Sequence, residues 1–186
     1  HGRAVEAAIL NGNGTISGLD GHAAAATAKH DINGADVGSG NFATMTAAQL
    51  LAARKEMGKY GLNPSDVVYI VSQAMYYDLL SDSAFQSLDE VGTELAIKVT
   101  GTIGAVFGSA VVVSEEFPTE AAGDPVAFAV YPRNYVIPRL RGVTVEQDYE
   151  VMNQRRVIVA TQSLGFNEVV AGAGSDQPAI KIDSVA

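Results

Sequence analysis

The first forty residues of the chain combine a short helical stretch with a long polar, glycine-rich stretch. Residues 3–10 are strong helix formers, and Asn11-Gly12 after them is typical of a helix C-cap. Residues 11–43 are rich in Gly, Ala, Asn, Asp and Ser, and their pattern predicts a loop with one short strand. A loop of this length is unusual inside a compact domain. We therefore expect that contacts with neighbouring subunits order it.

The middle of the chain alternates between helical and strand patterns. Thr46-x-x-Gln49 resembles a capping box, and the apolar positions that follow predict a helix. Residues 67–71 are a continuous apolar run, which predicts a buried strand. Ser72 is placed to cap the next helix, which has one apolar stripe. The stripe consists of Met75, Tyr76, Leu79 and Leu80. The pattern of residues 82–91 predicts another short helix.

From residue 94 onward the pattern is mainly that of β-strands. Four segments are rich in β-branched residues and are predicted as strands. They are residues 111–114, 126–131, 143–148 and 157–164. Residues 119–125 and 134–138 are interpreted as connectors between them. The chain as a whole is therefore expected to belong to the α+β class.

Composition places the chain among ordinary globular proteins. Its 186 residues are 47% hydrophobic and 18% charged, enough for one compact domain or two small interlocked ones. No apolar run reaches the ~20 residues of a membrane span, so we expect no membrane partner. The net charge of -9 disfavours contact with nucleic-acid phosphates, and we expect no sequence-specific nucleic-acid binding. The absence of cysteine excludes disulfides and thiolate chemistry.

The residues that could carry catalytic or metal chemistry form no recognisable constellation. There is no G-x-S-x-G elbow, and we expect His22 and His30 to be solvent-exposed rather than catalytic. The Asn/Gly run at 11–16 lacks an acidic ligand where a calcium loop needs one, so we expect a plain turn. The glycines at 101–108 lack the spacing of a phosphate loop. We therefore predict no enzyme activity, no cofactor and no metal site.

Charged residues on the late strands are the most distinctive polar feature of the chain. Four arginines and three carboxylates lie close together in the sequence, and we predict them as subunit-interface residues. They are Arg139, Arg141, Glu146, Asp148, Glu150, Arg155 and Arg156. Alternation puts the three carboxylates on one face of an extended strand. These charges either form cross-strand pairs on a solvated hairpin or face neighbouring subunits and fix their register.

Four segments occur in an order that is typical of one protein family. They are residues 5–14 with Gly18-Leu19, residues 66–72 with Tyr76, residues 106–114 with Phe117-Pro118, and residues 141–146 with 154–164. They resemble the spine-helix exit, the A-domain strand and helix, the G-x-x-V-V-V-S-x-x-x-P segment and the long P-domain strands of tailed-bacteriophage major capsid proteins. Because that family's N-arm, extended loop and most of its spine helix would precede residue 1, we expect an N-terminally truncated fragment.

The resemblance implies an α+β architecture of the HK97-like capsid fold. An A-domain with a central sheet flanked by helices would join a P-domain with long β-strands and a spine-helix remnant. We expect residues 1–44 to be the P-domain part with the helix end and loop. Residues 45–140 would be the A-domain and residues 141–165 the long P-domain strands. Residues 166–186 would return toward the A-domain.

The resemblance also implies a function. The protein would be the major capsid protein of a phage or prophage, forming pentamers and hexamers of an icosahedral shell that contains the DNA genome. It would reside in the virion capsid, and in the bacterial host cytoplasm during assembly. Scaffold or portal proteins are further expected partners, and an isolated fragment can be monomeric. Two alternatives remain, an encapsulin-like nanocompartment shell protein and a small α+β ligand-binding or hydrolytic domain.

Overall fold

The computed structural model describes residues 2–23, 29–31, 45–82, 104–117 and 124–183. The described helices are short and lie in the first half of the chain. They are α1 (Gly2–Asn11), α2 (Gly18–His22), α3 (Ala47–Glu56) and α4 (Gln73–Ser81). Turns of 3₁₀ helix cover Gly58–Gly61, Pro64–Asp66 and Pro132–Asn134. No helix in these ranges is long and apolar enough to cross a membrane. The helix predicted at residues 82–91 lies outside them.

The described strands occupy mainly the second half of the chain. In order they are β1 (Lys29–Asp31), β2 (Val68–Ser72), β3 (Ala105–Val106), β4 (Ser109–Ser114), β5 (Pro125–Val130), β6 (Tyr135–Val136), β7 (Arg139–Glu150), β8 (Arg155–Leu164), β9 (Asn167–Glu168) and β10 (Ala179–Asp183). All four predicted strands of the second half are present. The connector predicted at residues 134–138 is wrong in part, because it contains β6.

Six of the strands form one mixed central sheet. Its strand order is β1-β10-β5-β2-β4-β3. β2 pairs in parallel with β4 on one side and antiparallel with β5 on the other. β10 lies between β5, to which it is antiparallel, and β1, to which it is parallel. Residues distant in sequence therefore meet at the middle of this sheet.

The core lies against the central sheet. All six residues of β5 are buried, and Tyr69 and Phe128 are among the largest fully buried side chains. Of the stripe predicted on α4, Met75 and Leu79 are fully buried, while Tyr76 and Leu80 are partly buried against the core. α4 therefore packs through the side that its 3.6-residue periodicity predicts.

The starts of α3 and α4 are capped differently. Ser72 Oγ accepts a hydrogen bond from the Met75 N–H at 3.4 Å, which confirms the predicted cap of α4. Thr46 precedes α3, but its side chain makes no capping bond. Instead Asp82 Oδ2 accepts from the Ala47 N–H at 2.7 Å. Asp82, which directly follows α4, thus caps the start of α3, whereas the sequence predicted that Thr46 would do so.

The loop predicted at residues 11–43 is wrong at 18–22, which form α2. Gly12 and Gly18 both have positive φ and approach each other so closely that a Cβ on Gly18 would collide with the Gly12 backbone. The turn between them is an Asx turn, in which Asn13 Oδ1 accepts from the Ile16 N–H at 3.0 Å. Glycine therefore allows α2 to fold back against α1.

A long two-stranded ribbon lies outside the central sheet. It consists of β7 and β8, paired antiparallel from Arg139–Leu164 to Glu150–Arg155. We call these two strands the ribbon. At its base, β6 and β9 form a short antiparallel pair, with Tyr135 opposite Glu168. We call this pair the stem, because it joins the ribbon to the rest of the chain.

Candidate subunit interface

The ribbon is exposed along nearly its whole length. Every residue of β7 and β8 is exposed or only half-buried, unlike the strands of the central sheet. A two-stranded ribbon of this kind is marginally stable by itself in water. The ribbon therefore presents two faces and two free edges on which further contacts can form.

One face of the ribbon carries the three predicted carboxylates. Glu146, Asp148 and Glu150 occupy alternate positions of β7, in an unbroken register with Val159, Val157 and Arg155 of β8. The register shifts occur earlier, between Arg139 and Thr144. The carboxylates thus share one face with two valines and one arginine.

The predicted arginines have unlike surroundings. Arg155 Nε donates to Glu150 Oε2, and the Arg141 guanidinium lies 3.8 Å from Glu146 Oε1. Exposed ion pairs of this kind stabilise a fold by only about 0.2–1 kcal/mol. Arg156 stands opposite Tyr149 on the other face, and neither Arg156 nor Arg139 forms an ion pair within the described ranges. The ribbon's own pairing therefore leaves two of the four guanidinium groups available.

The second face of the ribbon is more apolar than the sequence analysis recognised. Val145, Tyr149 and Ile158 are 63%, 55% and 65% exposed, respectively. The register puts Val145 opposite Ala160 and Tyr149 opposite Arg156, so these side chains share the face that lacks the carboxylates. In the sequence, the apolar residues of this face lie between the charged positions. The prediction rested on the charged residues and did not include them.

His22 is not solvent-exposed, so that prediction is wrong. Its side chain is 11% exposed and packs against Tyr135 and Phe166, with ring centroids 5.9 and 5.7 Å away. His22 Nδ1 lies 3.3 Å from Glu168 Oε1. The prediction failed because the side chains that cover His22 lie far from it in the sequence. His1 and the side chain of His30 lie outside what the structure describes.

A buried lysine contacts α2, and a partly buried tyrosine packs against His22. Burial alone lowers the pKa of Lys181, but contacts with Asp20 at 3.0 Å and Asp183 at 3.1 Å outweigh burial, and the pKa is raised. Burial, together with Glu168 and Tyr60, raises the pKa of the Tyr135 phenol. Both groups therefore keep their protons across the neutral range. Within the described ranges no cluster of three metal-ligating side chains occurs.

Comparison with known proteins relates the chain to phage capsid proteins. No protein-family model matches the chain. Over 133 residues, 69% of its length, the chain is 39% identical to the "Major capsid protein" of Escherichia phage T5. It spans 29% of the length of that relative.

Solved structures with a similar fold include phage capsids. A chain from Mycobacterium phage Che8 has a TM-score of 0.61 at 19% identity, with 88% of this chain and 56% of that chain covered. The capsid structure of Cyanophage P-SCSP1u also gives 0.61, at 17% identity, with 89% and 60% covered. This chain has the HK97-like capsid fold. The expected fold class and the resemblance to phage major capsid proteins are confirmed. The division into A- and P-domains stays a prediction.

Proposed function

We propose that this chain is part of the major capsid protein of a tailed phage or prophage. In this role the whole protein assembles into pentamers and hexamers of an icosahedral shell that contains the DNA genome. The observation that carries the proposal is the 39% identity over 133 residues to a phage major capsid protein, joined to the HK97-like fold. The protein would reside in the virion capsid, and in the host cytoplasm during assembly.

The role that we infer is structural rather than catalytic. The most distinctive side chains of the described residues lie along the ribbon, where their carboxylates and guanidinium groups are largely exposed. Exposed charges in an open position suit recognition of another surface better than they suit proton transfer, which benefits from shielding from water. The function of these residues would be to select and orient a neighbouring copy.

The domain boundaries belong to the same proposal. Residues 45–140 would form the A-domain, supported by the central sheet and by α3 and α4 packed against it. Residues 1–44 and 141–165 would form the P-domain, supported by α1, α2 and the ribbon. Residues 166–186 would return to the A-domain, in keeping with the place of β10 in the central sheet, beside β5. β1 also pairs with β10, so the first segment would contribute to both domains.

The ribbon would supply contacts between neighbouring copies. The seven charged residues predicted for this role are Arg139, Arg141, Glu146, Asp148, Glu150, Arg155 and Arg156. Because both signs are present on one ribbon, copies related by rotation around a closed ring can set opposite charges against each other. Covering the ribbon would also compensate for its marginal stability as an isolated pair of strands.

The genome would be contained by the shell rather than read by it. The chain carries a net charge of -9, which opposes close approach to nucleic-acid phosphates. Scaffold and portal proteins would be further partners during assembly.

Assembly of the protein encoded by the whole gene tests the proposal. We expect closed, shell-like particles in electron micrographs and a fast-sedimenting species in the ultracentrifuge. Arg155→Glu/Arg156→Glu should reduce the particle fraction while the variant remains folded. Arg155→Lys/Arg156→Lys is the matched control, because it alters the same positions and keeps the charge, and we expect it to assemble.

Three results would count against the proposal, each at a different level. A whole protein that stays monomeric at every salt concentration contradicts the capsid function itself. Normal assembly of the charge-reversed variant leaves that function intact and removes the ribbon arginines from the interface. Particles that contain a cargo enzyme and no DNA would indicate the encapsulin-like alternative.

A further inference from the structure

The far end of the ribbon is a turn of four residues, 151–154, which joins β7 to β8. We call these four residues the tip. Asn153 Nδ2 donates to Glu150 Oε1 at 2.8 Å, and the Gln154 N–H donates to Val151 O at 3.4 Å. These bonds come from backbone and polar groups, so the apolar side chains of the tip are not needed for its shape.

The tip presents two apolar side chains to solvent. Val151 is 74% exposed and Met152 is 95% exposed. Turns usually carry Gly, Pro, Asn, Asp or Ser, each of which stabilises the bend in its own way. Valine and methionine do not belong to that group. The tip is therefore an apolar surface whose polarity can change without loss of the turn beneath it.

Methionine is the most readily oxidised residue type in this chain. The sequence has no cysteine and no tryptophan, but it has four methionines. A thioether is soft and polarisable, and an oxidant that reaches its sulfur converts it to a sulfoxide. Hydrogen peroxide should therefore react with the methionines before it reacts with other side chains of the chain.

Burial separates one methionine from the other three. Met45, Met57 and Met75 belong to the hydrophobic core and are 0% exposed, in contrast to Met152. Reaction at a buried thioether requires the fold to open locally, and opening has a cost in free energy. The sulfur of Met152 is accessible in the native state. Access to the oxidant therefore favours this one thioether.

We propose that Met152 is a selective oxidation site, at which a peroxide converts the tip of the ribbon from an apolar to a polar surface. The thioether sulfur attacks one oxygen of the peroxide, and the O–O bond breaks. The transferred oxygen gives up its proton to the departing oxygen, which leaves as water. The sulfur is oxidised by two electrons and the peroxide is reduced by two. The product is a polar, chiral sulfoxide in place of a weakly accepting thioether.

The exposure of Met152 also makes this change reversible. Methionine sulfoxide reductases return a sulfoxide to the thioether, with one enzyme for each epimer at sulfur. The oxygen leaves as water, while two thiols of the reducing system are oxidised to a disulfide. Such an enzyme reaches the tip without unfolding the ribbon. The site is therefore a two-state switch in surface polarity.

Oxidation of Met152 should affect assembly rather than the folding of one copy. The side chain is almost fully exposed, so its conversion to a sulfoxide removes little packing from the copy that carries it. In the whole protein, a polar group at the tip opposes burial of the tip by a neighbouring copy. The effect on assembly rests on the proposed capsid function, whereas the selectivity of the oxidation does not.

Peroxide oxidation of the folded chain, followed by proteolysis and mass spectrometry, tests the site. We expect the peptide that contains Met152 to gain one oxygen atom at least about tenfold faster than the peptides with the buried methionines. In concentrated urea, where burial is lost, the four rates should become similar. Both reductases with a thiol should remove the added oxygen. The midpoint of urea denaturation should be the same before and after oxidation of the tip.

Two matched variants assign the fast reaction to one sulfur. Met152→Leu should abolish the fast gain of oxygen. Met75→Leu, which conserves volume in the core, should leave it unchanged. Equal rates at all four methionines of the folded chain would overturn the proposal, and so would a fast reaction that persists in Met152→Leu. A sulfoxide that resists both reductases would overturn the reversibility.

Assembly of the whole protein tests the consequence of the switch. Peroxide treatment should lower the particle fraction at least about twofold, and Met152→Gln, which places a polar amide at the tip, should do so without peroxide. Met152→Leu should assemble before and after treatment. Unchanged assembly of Met152→Gln, or an equal loss in treated Met152→Leu, would overturn the effect of the tip. Failure of the untreated protein to assemble would instead contradict the proposed capsid function.

Discussion

Lys181 and Asp20 form an ion pair that joins the central sheet to a helix at the start of the chain. Lys181 Nζ lies 3.0 Å from Asp20 Oδ1 on α2 and 3.1 Å from Asp183 Oδ1 on its own strand. The lysine side chain is 7% exposed, and its aspartate partners are 39% and 3% exposed. One buried ammonium thus forms ion pairs with two carboxylates from segments more than 150 residues apart.

Removal of the Lys181 ammonium should destabilise the fold strongly. Lys181→Met keeps most of the aliphatic volume but leaves the buried Asp183 carboxylate without its counter-ion. Because Asp20 is partly exposed, we expect a loss of about 2–4 kcal/mol in the free energy of unfolding, measured by urea denaturation. Lys59→Met is the control, since Lys59 contacts Asp176 at an exposed position, and its loss should be much smaller. Equal losses in the two variants would contradict a structural role for the buried pair.

The helix caps offer a direct comparison between two hydroxyl residues. Ser72→Ala removes the acceptor for the Met75 N–H and should cost about 1 kcal/mol in the free energy of unfolding. Thr46→Ala should cost less than about 0.5 kcal/mol, because the Thr46 side chain makes no capping bond. Chemical denaturation of both variants measures the difference. A larger loss for Thr46→Ala would show that the capping box suggested by the sequence forms in solution.

The two helix caps also illustrate which parts of this fold can be predicted from the sequence. The helices α3 and α4 and the strands β2, β4, β5, β7 and β8 were predicted, because their patterns are local and regular. The cap of α3 was not, because Asp82 lies 35 residues from the Ala47 N–H that it binds. β10 was not predicted as a strand, because Lys181 and Asp183 interrupt its apolar pattern, and their burial is accompanied by the contacts of Lys181 with Asp183 and with Asp20.

The arrangement of side chains on the ribbon was predicted in part, for a related reason, while its role as an interface stays a prediction. Alternation along β7 correctly indicates which carboxylates share a face. The sequence could not indicate that the opposite, apolar face is also exposed, because exposure depends on what the rest of the chain leaves uncovered. The burial of His22 was missed for the same reason, since its partners Tyr135, Phe166 and Glu168 lie more than 110 residues away.

Two glycines with positive φ should respond differently to substitution by alanine. Gly58 has φ +59, and a Cβ there would collide with Ser175 O and the Asp176 carboxylate. Gly14 has φ +81, but its Cβ would meet nothing within 4 Å. We expect Gly14→Ala to cost about 1 kcal/mol from backbone strain alone, and Gly58→Ala about 2–4 kcal/mol from strain and overlap. Thermal and urea denaturation measure both, and similar losses would contradict the close approach at Gly58.

The apolar face of the ribbon should contribute to assembly but little to the folding of one copy. Val145→Thr/Ile158→Thr keeps β-branched side chains in the strands while making two exposed positions polar. We expect the free energy of unfolding to change by less than about 0.5 kcal/mol per site. In the whole protein, particle yield by sedimentation should fall. The control is Thr144→Val, which alters the other face, and an equal fall in yield would show that the effect is not confined to the apolar face.

The free energy of unfolding at alkaline pH should depend on the buried phenol of Tyr135. Its pKa is raised by burial, so the folded chain keeps a proton that the unfolded chain releases near pH 10. The stability that depends on this proton is therefore fully present below about pH 10 and is lost as the pH rises further. Tyr135→Phe keeps the stacking on Phe166 and removes the titrating group.

The free energy of unfolding, measured between pH 8 and 11, should therefore fall less steeply in Tyr135→Phe than in the unaltered protein. By pH 11, the free energy of unfolding of the unaltered protein should have fallen by about 1 kcal/mol more than that of Tyr135→Phe. Lys181, whose pKa is also raised, contributes equally to both curves and cancels from the difference. Tyr149→Phe, at an exposed position of the ribbon, should follow the unaltered protein. Parallel curves for Tyr135→Phe and the unaltered protein would mean that the phenol is open to water, and that the stem does not pack as closely around it as the stacked rings indicate.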